Sequence, residues 1–253
     1  MASAVEYAPL PIEASTYDRA RAKYFAEVFQ RLEPDLEGIS FQRRELQDTA
    51  AHGLNALAED ENADLIVLGS THRGVAGRVF PGTVADRLLS GAPCAVAVAP
   101  RDLAASDHVN LGRIGIAYDG RTESKVALGD ATRLAQELGA ELRVISVVPA
   151  YIASDDWLGP VGRVRDHFRA QLETGVAEIP AGVKVDAVLE EGEEPSALAR
   201  QGADVDLLVM GSRGYGPLRR VLLGGVSSAV MRAAPCPVMV VPRGVTVDQH
   251  TRS

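Results

Sequence analysis

The sequence predicts an α/β protein built on a parallel sheet, and three observations support that prediction. Short apolar runs alternate with segments of helical periodicity along residues 110–243, as expected of strands joined by right-handed helical crossovers. The run at 205–210 is apolar throughout, which indicates a strand buried on both faces. A stretch of 38 residues also occurs twice, so the chain contains two related parts.

The repeat joins residues 64–101 to residues 206–243 at a constant offset of 142, without a gap. Seventeen of the 38 positions are identical, and they include Cys94 and Cys236. The polar segment 102–110 lacks apolar periodicity and is the predicted join. We therefore expect a truncated first domain at 1–103, a complete second domain at 110–245 and a tail at 246–253.

The second domain is predicted to contain five strands with helices between them. An Asp119-Gly120 turn ends the first strand, and Gly139 is a suitable C-cap for the helix that follows. Pro195 suits the first turn of a short helix. The predicted strands are 111–118, 141–148, 183–189, 205–210 and 237–241, and the predicted helices are 122–139, 163–178, 195–201 and 226–233.

Composition and charge argue against several classes of protein. The hydrophobic content of 46% and charged content of 24% are typical of a soluble globular chain. A net charge of -8 disfavours binding to nucleic acid or to an anionic membrane, since both need a basic surface. No run of 18 apolar residues and no signal-peptide pattern is present. Two cysteines cannot form a disulfide framework, so we expect a cytoplasmic protein whose cysteines belong to the core.

The strongest candidate for a binding site is a glycine-rich segment after the fourth strand. It reads GSRG at 211–214, followed nine residues later by GGVSS at 224–228 and a helix. Glycine lets the backbone approach phosphate oxygens, and a helix N-terminus presents free N–H groups and partial positive charge. The alternative is that these glycines only allow tight turns and strand-to-helix packing. Asp119 and Val147 follow or end other strands and should meet this loop at the carboxyl rim of the sheet.

The glycine segment resembles the loop of the universal stress protein family, whose nucleotide-binding members carry G-x2-G-x9-G-[ST]. Gly211, Gly214 and Gly224 match that spacing, whereas Gly225 replaces the family's Ser or Thr. The ending IAYDG of the first strand is also similar to the family's. The resemblance implies that Asp119 contacts the adenosine and that Val147 lines the adenine site.

The same resemblance implies a fold and a cofactor. It implies a five-stranded parallel sheet of order 3-2-1-4-5 flanked by helices, repeated in tandem with an incomplete first copy. The implied cofactor is ATP, with or without Mg²⁺. The expected nucleotide-binding residues are Asp119, Val147, Met210, Gly211, Arg213, Gly214, Gly224, Gly225, Val226 and Ser227.

The first domain departs further from this pattern. Its loop keeps Gly69 and the pair Gly82-Thr83, but His72 stands in place of the second glycine. Subtracting 142 from the first strand and first helix of the second domain gives positions before residue 1. We therefore expect the first domain to lack its first strand, first helix and most of its second strand, and not to form an independent nucleotide site.

No catalytic set is recognisable, and no metal site is expected. The histidines have no metal-ligand spacing, and neither a nucleophile elbow nor a Walker loop is present. We expect the acidic run of Glu190, Glu191, Glu193 and Glu194 to be a solvated loop.

The leading expectation is an ATP-binding regulatory or stress-response protein without dedicated substrate chemistry. The alternatives are a slow ATP hydrolase and a nucleotide-free dimerisation or adaptor module. The apolar fifth strand should be a sheet edge, which predicts a homodimer or an intrachain pseudo-dimer.

Overall fold

A computed structural model describes residues 2–3, 14–32, 38–46, 48–70, 79, 82–101, 103, 111–150, 161–212 and 223–242. The chain forms two compact units, residues 1–57 and residues 58–253. This division rests on compactness and differs from the repeat boundary expected near residues 102–110, which stays a prediction.

The smaller compact unit contains one long helix and a two-stranded parallel sheet. Strand β1 (Ala2–Ser3) pairs with β2 (Arg44–Glu45), and α1 (Ala14–Leu32) lies between them in sequence. The Arg43 guanidinium lies 5.3 Å from the centroid of the buried Phe29 ring, a cation–π contact within this unit. Helix α2 (Ala50–Asp60) begins in this unit.

The larger compact unit is built on one seven-stranded sheet. Its strands follow the order β3-β4-β9-β8-β5-β6-β7, and every neighbouring pair is parallel except β4 and β9. The strands are β3 (Leu65–Gly69), β4 (Ala95–Ala99), β5 (Arg113–Ala117), β6 (Glu141–Pro149), β7 (Val185–Gly192), β8 (Leu207–Gly211) and β9 (Val238–Val241). The helices are α3 (Thr83–Leu88), α4 (Thr122–Leu138), α5 (Val161–Ala177), α6 (Glu194–Gln201) and α7 (Gly225–Ala233), with a 3-10 turn at Gly202–Asp204. The predicted α/β class and mostly parallel sheet are confirmed, but the sheet has seven strands instead of five.

The two additional strands, β3 and β4, come from the first repeat and join the sheet through the pairing of β4 with β9. Strands β4 and β9 run antiparallel, with Val96 opposite Val240 and Val98 opposite Val238. Both strands are the last of their repeats, so the pairing extends one sheet across both repeats within a single chain. Association of two separate chains stays a prediction.

Apolar strands and flanking helices form the core. Four residues of β8, Leu207–Met210, are buried, as the continuous apolar run at 205–210 predicted. Ala127 and Ala131 of α4 belong to one buried cluster with Ile114 of β5 and Val209 of β8. Cys94 and Cys236 are buried immediately before β4 and β9, which confirms their expected place in the core.

Local signals in the second domain place most element ends within about two residues. Gly139 ends α4 with φ +65, the left-handed conformation expected of a glycine C-cap. Pro195 lies in the first turn of α6, as predicted.

The expectation of a solvated acidic loop is wrong for Glu190 and Glu191, because β7 continues to Gly192. Glu190 accepts a hydrogen bond from Gln201 at 2.6 Å, and Glu191 pairs with Arg165 at 2.7 Å. Strand β7 is the last in the sheet, and an edge strand tolerates charged side chains that a central strand would not.

Candidate functional site

The candidate site lies at the carboxyl ends of β5, β6 and β8. Strand β5 is central to these three, with β6 on one side and β8 on the other. The chain leaves β5 towards β6 and later returns to β8, so the strand order reverses between β5 and β8. Such reversals are where open α/β sheets bind ligands.

Asp119 follows β5 and is held in a tight turn. Its Oδ1 accepts a hydrogen bond from the Arg121 N–H at 3.0 Å, and its Oδ2 lies 3.5 Å from Arg121 Nε. Gly120 has φ +75, which favours glycine. The Ser124 hydroxyl donates to the Arg121 carbonyl at 3.0 Å. The turn therefore fixes the carboxylate while leaving its side chain half-exposed.

The residue before Asp119 is clamped by two other elements. The Tyr118 N–H donates to the Ile145 carbonyl of β6 at 2.8 Å. The buried Tyr118 ring lies against Gly175 of α5, where a Cβ would come within 2.6 Å of the ring. Burial raises the pKa of Tyr118, and the charges of Glu178 and Asp119 raise it further. Helix α5 thus helps to set the position of the Asp119 turn.

Val147 and Met210 lie on the two strands that flank β5. The last paired residues of β5 and β6 are Ala117 and Ile145, so Val147 lies on the part of β6 that extends beyond β5. Val147 is buried opposite Glu190 of β7. Met210 is buried opposite Val240 of β9. Both residues are near the rim, as expected.

Gly211 ends β8 directly against the first turn of α4. A Cβ at Gly211 would lie 2.6 Å from the Glu123 carbonyl oxygen, so only glycine allows this approach. Gly211 is therefore needed for close packing of a strand against a helix, although that helix is α4 and not the helix that follows the loop. Neighbouring Ser212 donates its N–H to the Val241 carbonyl at 2.8 Å. Its buried hydroxyl has no hydrogen-bond partner among the described residues.

The second half of the glycine segment forms the N-terminus of α7. Gly224 is the N-cap residue, and the Ser228 N–H donates to its carbonyl at 2.9 Å. No described side chain caps this helix. A Cβ at Gly225 would meet no atom within 4 Å. Ser227 is buried and Val226 is exposed. The predicted site residues Arg213 and Gly214 lie outside the described residues.

Glu194 is a rim residue that the sequence interpretation did not assign to the site. Burial raises the pKa of Glu194, the Asp119 carboxylate raises it further, and Arg121 lowers it. Glu194 begins α6 just after the carboxyl end of β7 and is therefore on the same side of the sheet as Asp119. Pro195 marks the first turn of α6, so it was the signal that could have placed Glu194 there.

Across the described ranges, no group of three or more His, Cys, Asp and Glu side chains could hold a metal ion. In those same parts of the chain, no helix combines the length and apolar character needed to cross a membrane.

Comparison with known proteins identifies the family. The model of the universal stress protein family matches residues 2–100 and again residues 110–242. A universal stress protein of Mycobacterium bovis is 28% identical over 232 residues, which cover 88% of this chain and 78% of the relative. A second, from Mycobacterium tuberculosis, is 32% identical over 186 residues, 70% of this chain and 61% of the relative.

Solved structures agree on the fold. The crystal structure of a universal stress protein from Archaeoglobus fulgidus superimposes with a TM-score of 0.65 and 24% identity. The match covers 93% of this chain and 82% of that one. Two family matches that together span most of the sequence, and an α/β sheet of the same kind, lead to one conclusion. The chain belongs to the universal stress protein family.

Proposed function

We propose that the second domain binds ATP at the carboxyl rim between β5 and β8. The observation that carries the proposal is the meeting of three features at this reversal of strand order: the Asp119 turn, the glycine end of β8 and the α7 N-terminus without a described side-chain cap. Free N–H groups and the helix dipole favour a phosphate at such a terminus. The family resemblance supports adenosine at the opposite end of the site.

The proposed contacts divide between the two ends of the nucleotide. Asp119 would hold the ribose, and Val147 with Met210 would border the adenine. Backbone N–H groups of residues 224–227 would bind the phosphates. Gly211, together with Arg213 and Gly214 in the adjoining loop, completes the proposed set. Where Mg²⁺ accompanies ATP, the ion would be held in the site by the phosphates of the nucleotide.

Gly225 offers a sharp test of phosphate binding, because a side chain there meets no atom. Gly225→Asp puts a carboxylate on the first residue of α7, which favours the helix but repels a phosphate. The matched control is Gly129→Asp, also at an open and exposed helical glycine. We expect calorimetry to show ATP binding in the parent and the control, and at least about tenfold weaker binding in Gly225→Asp, the equivalent of about 1.4 kcal/mol.

Equal affinity in the parent and in a folded Gly225→Asp variant would contradict this placement of the phosphates. No ATP binding by the parent would instead favour a nucleotide-free dimerisation or adaptor module.

We also propose that nucleotide occupancy serves a regulatory or stress-response role in the cytoplasm, without a dedicated substrate reaction. Phosphoryl transfer depends on positioned cations and an oriented nucleophile. The sequence has no Walker lysine, and Asp119 already binds Arg121 within its own turn. We expect ATP hydrolysis to be slow at most. A steady-state rate within roughly 1–1000 per second, the range of ordinary enzymes, would refute this proposal.

The finer domain architecture belongs to the same proposal. We assign β7-β6-β5-β8-β9 to a second domain of order 3-2-1-4-5, and β3 and β4 to the fourth and fifth strands of an incomplete first domain. The strand order of the seven-stranded sheet and the 142-residue repeat support this assignment. It makes the β4–β9 pairing an intrachain pseudo-dimer contact.

A further inference from the structure

Ser212 carries a buried hydroxyl at the rim of the sheet. The residue is only 2% exposed, and its hydroxyl forms no hydrogen bond with any of the described residues. A buried polar group without a hydrogen bond is unfavourable, and buried polar side chains in native proteins nearly always have a partner. The free hydroxyl of Ser212 therefore needs a physical explanation.

The repeat provides a direct comparison, because Ser70 occupies the equivalent position at the offset of 142. The Ser70 N–H donates to the Ala99 carbonyl at 2.9 Å, and the Ser70 hydroxyl donates to the same oxygen at 2.7 Å. The Ser212 N–H donates to the equivalent carbonyl, that of Val241, at 2.8 Å, but the Ser212 hydroxyl does not. Both repeats thus offer the same local acceptor, and only the hydroxyl of Ser70 uses it.

The side chain of Ser212 points to the face of the sheet that α7 covers. The chain passes from β5 to β6 on one side and from β8 to β9 on the other, so right-handed crossovers place α4 and α7 on opposite faces. Val209 of β8 shares a buried cluster with the alanines of α4, and a Cβ at Gly211 would meet Glu123 of that helix. Because side chains alternate along a strand, Ser212 points away from α4 and towards the α7 face.

The N-terminus of α7 lies at the same rim as Ser212. A Cβ at Gly202, which precedes β8, would lie 3.8 Å from the Cβ of Ala234, which follows α7. The C-terminal end of α7 is therefore beside the amino end of β8, and its first turn is directed to the carboxyl rim. That first turn has no described side-chain cap. The Ser212 hydroxyl and the uncapped N–H groups are thus on the same face and at the same end of the sheet.

We propose that the Ser212 hydroxyl donates a hydrogen bond to a phosphate oxygen of a nucleotide bound at the N-terminus of α7. This inference rests on the proposed ATP site and adds a hydroxyl donor to the backbone N–H groups assigned to the phosphates. A hydrogen bond to an ionised oxygen is stronger than one between neutral groups, and the helix dipole favours the same negative charge. Ser70 does not serve this purpose, because its only O–H already donates to Ala99.

The binding test compares Ser212→Ala with the matched control Ser70→Ala, both in the full chain. Calorimetry should show ATP binding at least about tenfold weaker for Ser212→Ala, as expected for loss of a hydrogen bond to a charged group. Ser70→Ala should bind ATP as the parent does. Adenosine lacks phosphates, so its affinity should be the same for Ser212→Ala and for the parent.

Thermal unfolding of the nucleotide-free proteins should separate the two serines in the opposite sense. Ser70→Ala loses a hydrogen bond within the folded chain, so its melting temperature should fall below the parent's. Ser212→Ala loses none, so its melting temperature should equal or exceed the parent's. A lower melting temperature for Ser212→Ala would show that the hydroxyl is bonded within the folded chain and would overturn the inference.

Three binding outcomes would also overturn it. Equal ATP affinity in the parent and in folded Ser212→Ala would reject the role of Ser212 and leave the ATP site in place. A proportional loss of ATP and adenosine affinity would show that the hydroxyl does not act on the phosphates. No ATP binding by the parent would reject the inference together with the proposed site.

Discussion

Gly69 and Gly211 are equivalent positions of the repeat, but their surroundings predict different losses of stability for the same substitution. Gly211→Ala places a methyl group 2.6 Å from the Glu123 carbonyl oxygen. Relief requires α4 or β8 to shift, so we expect the free energy of unfolding to fall by about 1–3 kcal/mol. Gly69→Ala meets no atom and has no positive φ, so it should change stability by less than about 1 kcal/mol.

Urea denaturation of both alanine variants measures this difference directly. Equal midpoints for Gly69→Ala and Gly211→Ala would show that the contact with α4 does not require glycine.

Glu194 predicts a pH dependence of stability. Because burial and Asp119 raise its pKa in the folded protein, the folded state binds the proton more tightly than the unfolded state does. Stability is therefore lost as pH rises from the ordinary value of 4.5 through the raised pKa. Glu194→Gln removes the charge. The melting temperature of the variant minus that of the parent should therefore be larger at pH 7 than at pH 4. The exposed Glu137→Gln is the control.

A constant difference between parent and Glu194→Gln across that pH range would show that the carboxylate is equally well solvated in both states.

At the scale of elements, the junction of β4 and β9 should be energetically coupled. Val96 and Val240 lie directly opposite each other, and both are fully buried. Each substitution to alanine should cost roughly 2 kcal/mol through lost burial and an incomplete collapse of the cavity. The double variant should depart from additivity by about 0.5 kcal/mol or more, because the two side chains share a contact.

The control cycle joins Val96 with Val144, which lies on β6, four strands away from β4. Thermal or urea unfolding should show additive losses for that pair. Additive losses for Val96 and Val240 as well would mean that the two valines do not interact energetically across the pairing of β4 with β9.

Sequence signals were sufficient for elements with a clear start or stop. Gly139 and Pro195 predicted the end of α4 and the start of α6, and apolar runs located the buried strands. The end of strand β7 was harder to predict, because Glu190 and Glu191 are charged residues in an edge strand. The residues that bind them, Gln201 and Arg165, belong to other elements. The contact of Gly211 with Glu123 was equally inaccessible, since it joins elements far apart in the chain.

At the scale of the whole molecule, we expect one high-affinity ATP site per chain. The second domain has the Asp119 turn and a glycine packed against α4, whereas Gly69 of the first domain has no such neighbour. Calorimetry or native mass spectrometry should therefore give one equivalent of ATP. Two equivalents of similar affinity would contradict the assignment of a single complete site.

The family and the α/β class could be inferred from the repeat and the glycine spacing, but the seven-stranded sheet could not. Apolar alternation indicates which residues form strands and not which strand edges meet. The antiparallel pair of β4 and β9 depends on two edges brought together only when both repeats are folded. For the same reason the sequence did not reveal the influence of Asp119 on Glu194.

The alkylation rates of the two buried cysteines measure how often the sheet opens around each of them. Burial raises the pKa of the Cys94 thiol to about 11 and that of Cys236 to about 12, so the reactive thiolate is scarce in the closed protein near neutral pH. Alkylation must then await exposure of the thiol, and its rate reports how often each region opens. Cys94 adjoins the pair at the end of the sheet, β3 and β4, whereas Cys236 adjoins the interior pair, β8 and β9. Labelling should therefore reach Cys94 first, and the ratio of the two rates would measure how much looser the terminal strands are than the centre.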